Sequence, residues 1–434
     1  MVCKRWNPAS GANDVFRWEI NEAGDITITE FLDQEAKSVE IPEEINGRPV
    51  VAIAEASFAE NRCLRKVKFS KNLRRVGDRA FYQCDALTEI TFSNGLESIG
   101  DGAFAKCRRL RKVRFPENLR FLGASAFAFC SSLTEVEFSN GLQTIEKFAF
   151  VGCSALTTAR FSQGLRRVDE SAFSGCVSLS RLYFPDSLQT IERHAFTRCS
   201  SLQSVRFPVG LQMIGDWAFA GCLGLRELRF NAGLESVGDN AFVNCSYLKV
   251  VRFSQGLRRV GESAFAGCVS LSEIYLPEGL QRVDDWAFFM CSALPCVYFA
   301  DGLQSIGDNA FAQCERLEQA RFPDGLRSVG KRAFAECASL RELRFSAGLQ
   351  HIGKWAFHNC LALSSVRFEG GLQRVDDGAF WNCASLRKID LSVDLQFLGK
   401  GVFRDCSLDL TLYGSPGSVA EEYARQNGIR FETR

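Results

Sequence analysis

Cysteine, aspartate and arginine are the residues of this chain whose numbers or spacing could support chemistry. Eighteen Cys stand beside only 3 His and 3 Met, so histidine-based acid–base or metal chemistry has little material. His194, His351 and His358 are scattered and read as solvated turn or convex-side residues. Zinc would want Cys-x-x-Cys pairs, and Cys291 with Cys296, with no His nearby, is a poor ligand pair. No Gly-x-Ser-x-Gly, P-loop or His-Glu-x-x-His occurs. Asp recurs in Ile-Gly-Asp too often for every copy to be catalytic, and it reads as a turn residue. The chain is therefore expected not to be an enzyme, with no catalytic residue, no metal site and no cofactor.

Arginine is different. One position recurs every 23 residues as Lys68, Thr91, Arg114, Glu137, Arg160, Tyr183, Arg206, Arg229, Arg252, Tyr275, Tyr298, Arg321, Arg344, Arg367 and Asp390. Guanidinium groups fork onto carboxylates and phosphates and stack on aromatic rings, so an Arg and Tyr ladder suits an extended anionic ligand. The expected ligand-binding residues are Arg160, Tyr183, Arg206, Arg229, Arg252, Tyr275, Tyr298, Arg321, Arg344 and Arg367. Like charges on adjacent strands repel. The bland alternative is neutralisation by the position two residues earlier, where Glu135, Glu227, Glu273 and Glu342 occur. That same position also holds Ser204, Val250, Cys296, Gln319 and Ser365.

The elements that carry this ladder follow from the repeat itself. Phe recurs every 23 residues from Phe58 to Phe403 without an insertion, and Cys from Cys84 to Cys406 in register with it. The unit is Leu-x-x-Val-x-Phe-x-x-Gly-Leu-x-x-Ile-Gly-Asp-x-Ala-Phe-x-x-Cys-x-x. Its Leu-x-x-Val-x-Phe has the period-2 pattern of a strand with one buried face, which puts the Arg/Tyr position on the opposite face. Asn-Gly, Asp-Gly or Ala-Gly before the second Leu is turn chemistry. Ile-Gly-Asp-x-Ala-Phe reads as a second short extended piece ending in a tight helical turn. The Cys column reads as a small donor to turn backbone inside the coil, since the first full repeat has Asn61 there, and its uniformity argues against stacked disulfides. A single unit cannot bury its own apolar edge, so stacked units must form an elongated solenoid.

The expected architecture is an α/β, β-rich solenoid, a right-handed horseshoe with a parallel concave sheet. Residues 1–14 are expected as a leader or unstructured segment and 15–50 as a β cap. Residues 51–406 form about sixteen repeats, and 407–434 a cap with a short helix and strand. Ser418 with Glu421 forms a capping box and Gly428 ends that helix. Trp217, Trp286 and Trp355 share one column and read as cover for a hydrophobic rim on the convex side.

Fifty-two Lys plus Arg against 51 Asp plus Glu give net charge +1, which argues against a nucleic-acid-binding polycation. No apolar run of about 18 residues exists, so membrane insertion is not expected. Met1–Asp14 contains no signal-peptide core, and 18 reduced thiols suit a reducing or anaerobic habitat. Location is expected at the cell surface or outside if a leader was removed, and cytoplasmic otherwise.

The unit at Leu87–Phe92, Leu96, Ile99-Gly100-Asp101, Ala103-Phe104 and Cys107 resembles the Treponema pallidum-type, or BspA-like, leucine-rich repeat. The lead-in Val39–Pro42 to Pro49-Val50 and the ending Gly414–Gly428 are similar to that family as well. The resemblance implies a bacterial protein used in surface attachment, binding host matrix proteins or other cells; with the Arg and Tyr ladder, the expected function is non-enzymatic binding of a protein or acidic glycan on the concave face. The alternative is an intracellular protein–protein interaction scaffold.

Overall fold

The structure, a computed structural model, describes residues 10–433. It divides into two compact units, Met1–Leu211 and Gln212–Arg434, built on one scheme. Each 23-residue coil contributes two strands to two separate parallel ladders. Lys66–Lys68 turns Val67 inward and both lysines outward, and pairs in register with Glu89–Thr91 of the next coil. Arg75–Val76 pairs likewise with Ser98–Ile99. The second unit repeats both ladders, as in Val250–Arg252 on Glu273–Tyr275 and Arg259–Val260 on Arg282–Val283.

The core is a file of phenylalanines. Phe219, Phe242 and Phe265 stack with centroids 5.3 Å apart and rings within 8° of parallel. A second Phe column meets the first edge-on, as Phe230 does at 5.9 Å from Phe242. Stacked neighbours with an edge-on third ring satisfy the ring quadrupoles. All three members of the file are fully buried.

The corner after the second strand differs from the sequence reading. No α-helix forms there; among the described residues Val419–Asn427 is the one α-helix, so the α/β expectation narrows to a β-solenoid with a single cap helix. The cause is two columns of left-handed residues four apart, such as Arg79 (φ 52°) with Gln83 (φ 57°) and Asn240 (φ 57°) with Asn244 (φ 59°). Left-handed residues interrupt a right-handed helix. Alternate N–H groups then point along the solenoid: Arg79, Phe81 and Gln83 donate to the carbonyls of Asp101, Ala103 and Ala105 at 2.7–2.8 Å. The corner is thus a third inter-coil ladder.

The Cys and Asp columns serve the same purpose. Cys84 Sγ donates to the Phe58 carbonyl of the preceding coil at 3.1 Å, and Cys245 to that of Phe219 at 3.3 Å. Asn61 does the job differently, its Oδ1 accepting the N–H groups of Cys63 and Leu64. Asp101 Oδ1 accepts the Ala124 N–H at 2.8 Å and Asp308 Oδ1 that of Lys331 at 2.7 Å, which gives Ile-Gly-Asp its structural role. Every described cysteine is a free thiol.

The ends close the ladders. Ser10–Ala12 forms an antiparallel edge strand on Phe16–Ile20, so the described end of the segment expected to lack structure is ordered by backbone pairing. Residues 1–9 lie outside the described region. Phe16–Ile20 pairs with Ile26–Phe31, which hands over in parallel to Arg48–Ile53. At the other end Ser418 caps the helix by accepting the Glu421 N–H. Glu421 reaches back to the Gly417 N–H at 2.6 Å, one residue earlier than a capping box requires. Arg430–Thr433 pairs in parallel with Thr411–Gly414 and ends the sheet.

Candidate functional site

Strands of three or four residues position every residue of the expected ligand surface. Their second residue is the inward Val, Leu, Ile or Ala, so first and third residues face out together as two parallel columns. Tyr183 and Arg206, directly opposite on neighbouring strands, are exposed. Arg160 is exposed but bound, its Nε 3.3 Å from Glu135 Oε1.

In the second unit the ladder falls into two parts. In the first, Arg229 Nε sits 2.6 Å from Glu227 Oε1. Arg252 lies 3.9 Å from Glu227 and 3.5 Å from Glu273, and its guanidinium stacks 4.3 Å over the Tyr275 ring. Tyr275 donates to Glu273. This segment is neutralised by its own neighbours, the bland alternative.

Arg321, Arg344 and Arg367 form the second part. Among the described residues none of the three has a carboxylate within ion-pair range; Arg321 rests 5.3 Å over the Tyr298 ring. Arg344 and Arg367 face each other across the ladder. The residues two positions earlier are Gln319, Glu342 and Ser365, and Glu342 bonds to neither guanidinium. Hydrogen bonding to Cys296 pushes the Tyr298 phenol above its ordinary pKa.

The surface there is indented. A cavity of about 640 Å³ is lined by Arg321, Arg344, Arg341, Gln319, Glu342 and Phe322 among others. Ala320 stands where neighbouring strands carry Val297 and Leu343, and the ladder to the next strand reduces to the pair Gln319–Glu342. Small volume and lost pairing together open the groove. A second cavity of about 260 Å³ continues it past Arg344 and Arg367 to Lys388 and Tyr413. Lys388 and Tyr413 were not among the expected residues. Their signal was the same 23-residue spacing, since Tyr413 stands one period after Asp390 even though the Cys column has ended.

The structure therefore aligns Arg321, Arg344 and Arg367, with Tyr298 under Arg321, along two adjoining depressions that also contain Glu318, Glu342 and Asp390, and ties Arg160, Arg229 and Arg252 into ion pairs. His194 and His358 lie in the turn, as the sequence reading placed them, while His351 departs from it. His351 lies on a two-residue strand, half-buried, with Nε2 2.9 Å from Asp376 Oδ2. His194 Nδ1 sits 3.3 Å from Thr197 Oγ1. Among the described residues no cluster of His, Cys, Asp or Glu could hold a metal ion, and no helix is long and apolar enough to cross a membrane.

Comparison with known proteins agrees with this fold. No curated protein matches the chain. Among solved structures, a leucine-rich repeat protein from Bacteroides ovatus ATCC 8483 is 22% identical with a TM-score of 0.65, over 98% of this chain and 99% of that one. A leucine rich cell surface protein from Faecalibacterium prausnitzii A2-165 is 23% identical with a TM-score of 0.46, covering 73% of this chain and 96% of that one. The T. pallidum leucine rich repeat protein is 21% identical with a TM-score of 0.22, covering 71% and 90%. The first of these likenesses concerns the fold alone. The family model described as the BspA type leucine rich repeat region matches residues 51–180, 167–295 and 304–424. With most of its length so matched, the chain belongs to the BspA-type leucine-rich repeat family.

Proposed function

We propose that the chain is a non-enzymatic binding protein that holds an acidic ligand, a protein segment or a glycan, along the groove of Arg321, Arg344 and Arg367, with Tyr298 at its edge. The carrying observation is three adjacent exposed arginines without carboxylate partners, above cavities of about 640 and 260 Å³. Folding gains nothing from leaving like charges stacked, whereas an incoming carboxylate or sulfate gains two parallel N–H···O bonds from each guanidinium. Tyr183 and Arg206 extend the same chemistry in the first unit.

Attachment at a bacterial surface is the role we assign to this binding. The opposing reading, an intracellular scaffold, is favoured by the free thiols. Binding of the full chain to arrays of acidic glycans and matrix proteins tests the proposal. Replacing Arg321, Arg344 and Arg367 with Ser should abolish the hits, while Arg166 and Arg167, which belong to the turn and second strand, serve as controls. Hits that survive the triple replacement would refute the groove.

A further inference from the structure

A second concentration of positive charge lies on the corner that follows the two-residue strands of the second unit. The indole of Trp355 is met by Lys354 Nζ at 4.5 Å, the Arg332 guanidinium at 4.8 Å and Lys331 Nζ at 5.9 Å from its centroid. An aromatic face attracts one cation; three bring mutual repulsion. Of the surrounding acids among the described residues, only Asp377 also reaches a cation of the cluster. Asp308 Oδ1 accepts the Lys331 backbone N–H at 2.7 Å, and Glu336 Oε2 accepts from Gln313 Nε2 at 3.1 Å. Asp377 Oδ1 accepts the Lys400 N–H at 2.8 Å, leaving Oδ2 3.8 Å from Lys354 Nζ. Among the described residues, Lys331 and Arg332 have no carboxylate within ion-pair range.

The cluster borders a cavity. Lys331 and Lys354 rim a depression of about 510 Å³ that also takes in Ser305, Ser328 and His351. The carboxylate of Asp376 is spent on His351 at 2.9 Å and Arg374 at 2.7 Å. Asp285 Oδ1 accepts the Asp308 N–H at 2.9 Å. The hydroxyls of Ser305 and Ser328 donate to no protein group among the described residues. Lys331, without a carboxylate partner among the described residues, and Lys354, held only at 3.8 Å by Asp377, stand beside unspent hydroxyls in a mixed lining, with Arg332 next to it on the Trp355 ring; a bare inorganic anion would use that lining only in part.

We infer that this corner binds a sugar carrying a sulfate or phosphate monoester. The tetrahedral anion takes its hydrogen bonds from Lys331, Arg332 and Lys354. The sugar ring lies over the depression, with its hydroxyls on Ser305 and Ser328. The site is separate from the Arg321–Arg344–Arg367 groove in both residues and strand ladder, so either can fail without the other.

The test titrates the full chain with a sulfated disaccharide, its unsulfated parent, a phosphorylated monosaccharide and inorganic sulfate, read by calorimetry and tryptophan fluorescence. One of the two esters should bind saturably, and the stronger arm identifies the anion. Replacing Lys331 and Arg332 with Gln should weaken that binding about tenfold or more, as expected for lost charge-assisted contacts. Replacing Arg321, Arg344 and Arg367 should leave it intact. Trp355→Phe should remove the fluorescence change but preserve the calorimetric signal, since Phe148 shows that a phenyl ring is accepted at this left-handed position. No saturable binding of either ester, inorganic sulfate binding as well as the esters, or equal binding to the Lys331/Arg332 variant would each overturn the inference. The exchanged cations are solvent-facing and touch no core atom, so an unchanged melting curve should accompany the loss.

Discussion

A cysteine in this chain is a hydrogen-bond donor first and a thiol second. Burial pushes Cys84, Cys153 and Cys314 up to about 12, and most of their column well above the ordinary thiol range. An unfolded thiol titrates near ~8.5, so between there and about 12 the unfolded chain loses protons that the folded chain keeps. Stability is whole below about pH 8.5 and falls as pH rises, by ~1.4 kcal/mol per pH unit for each buried thiol. With the column acting together, unfolding is expected within roughly a unit above that threshold, measurable by circular dichroism against pH. A chain still folded at pH 11 would contradict the burial of the column. Native alkylation should reach Cys63, Cys296 and Cys406 first, the described thiols that are not fully buried; Cys406 ends the column, and its bond from Cys383 draws its pKa below the ordinary value. Full denaturation should release close to 18 free thiols.

The corner is the element that the sequence shows least. Its two left-handed columns accept Gly175 and Asn359, which favour φ > 0, but also Trp286, Phe129 and Arg198. Residue type there carries only a partial signal: Gly, Asn or Asp fills eight of the fifteen positions from Gln83 to Asp405 and larger residues fill the rest, because inter-coil hydrogen bonds impose the conformation even where local preference does not. The strands were legible for the opposite reason: inward Val and Phe alternate with outward polar residues in every unit, and burial enforces that pattern. Gly175 has φ 76° with only ordinary contacts near an added Cβ, so Gly175→Ala should cost about 1 kcal/mol through backbone strain alone. Arg198→Gly, in the same column at φ 60° and exposed, should run the other way by up to about 1 kcal/mol. Thermal melts of both decide whether the corner stores strain. Phe242→Ala opens a gap in the ring file and should cost roughly 3–5 kcal/mol. It should also split unfolding into more than one step, since each coil rests on its neighbours. One sharp transition with an unchanged midpoint would refute the stacking.

At the scale of the molecule, the ladder of Arg and Tyr was visible in the spacing, but its division was not. Glu227 reaches both Arg229 and Arg252, while Glu342 reaches neither Arg321 nor Arg344. The choice depends on side-chain directions across strands, which a list of residues two positions apart does not contain. The division makes two replacements diagnostic. Arg321, Arg344 and Arg367 to Ser should leave stability unaltered or slightly raised, because only stacked like charges are removed. Arg229 and Arg252 to Ser should lower it by about 0.5–1 kcal/mol, the usual worth of surface ion pairs. Affinity for an acidic ligand should fall with salt, as screening at 0.15 M has a Debye length of about 8 Å, and the first replacement should flatten that dependence. Loss of several kcal/mol in the first variant would mean those arginines hold the fold together.

The inter-coil ladders carry a consequence for inheritance. Coil after coil presents the next with a Phe carbonyl for a thiol, and seven of them add an Asp oxygen for an N–H. A gene that gains or loses a whole 23-residue unit therefore leaves matching faces at the join, whereas any other length breaks both columns at once. The near-identical stretches Ser162–Tyr183 and Ser254–Tyr275, four units apart, are where recombination would make such an edit. Each edit lengthens or shortens the row of outward Arg and Tyr by whole strands of ~4.8 Å, so selection can retune the reach of this surface without first having to repair a core.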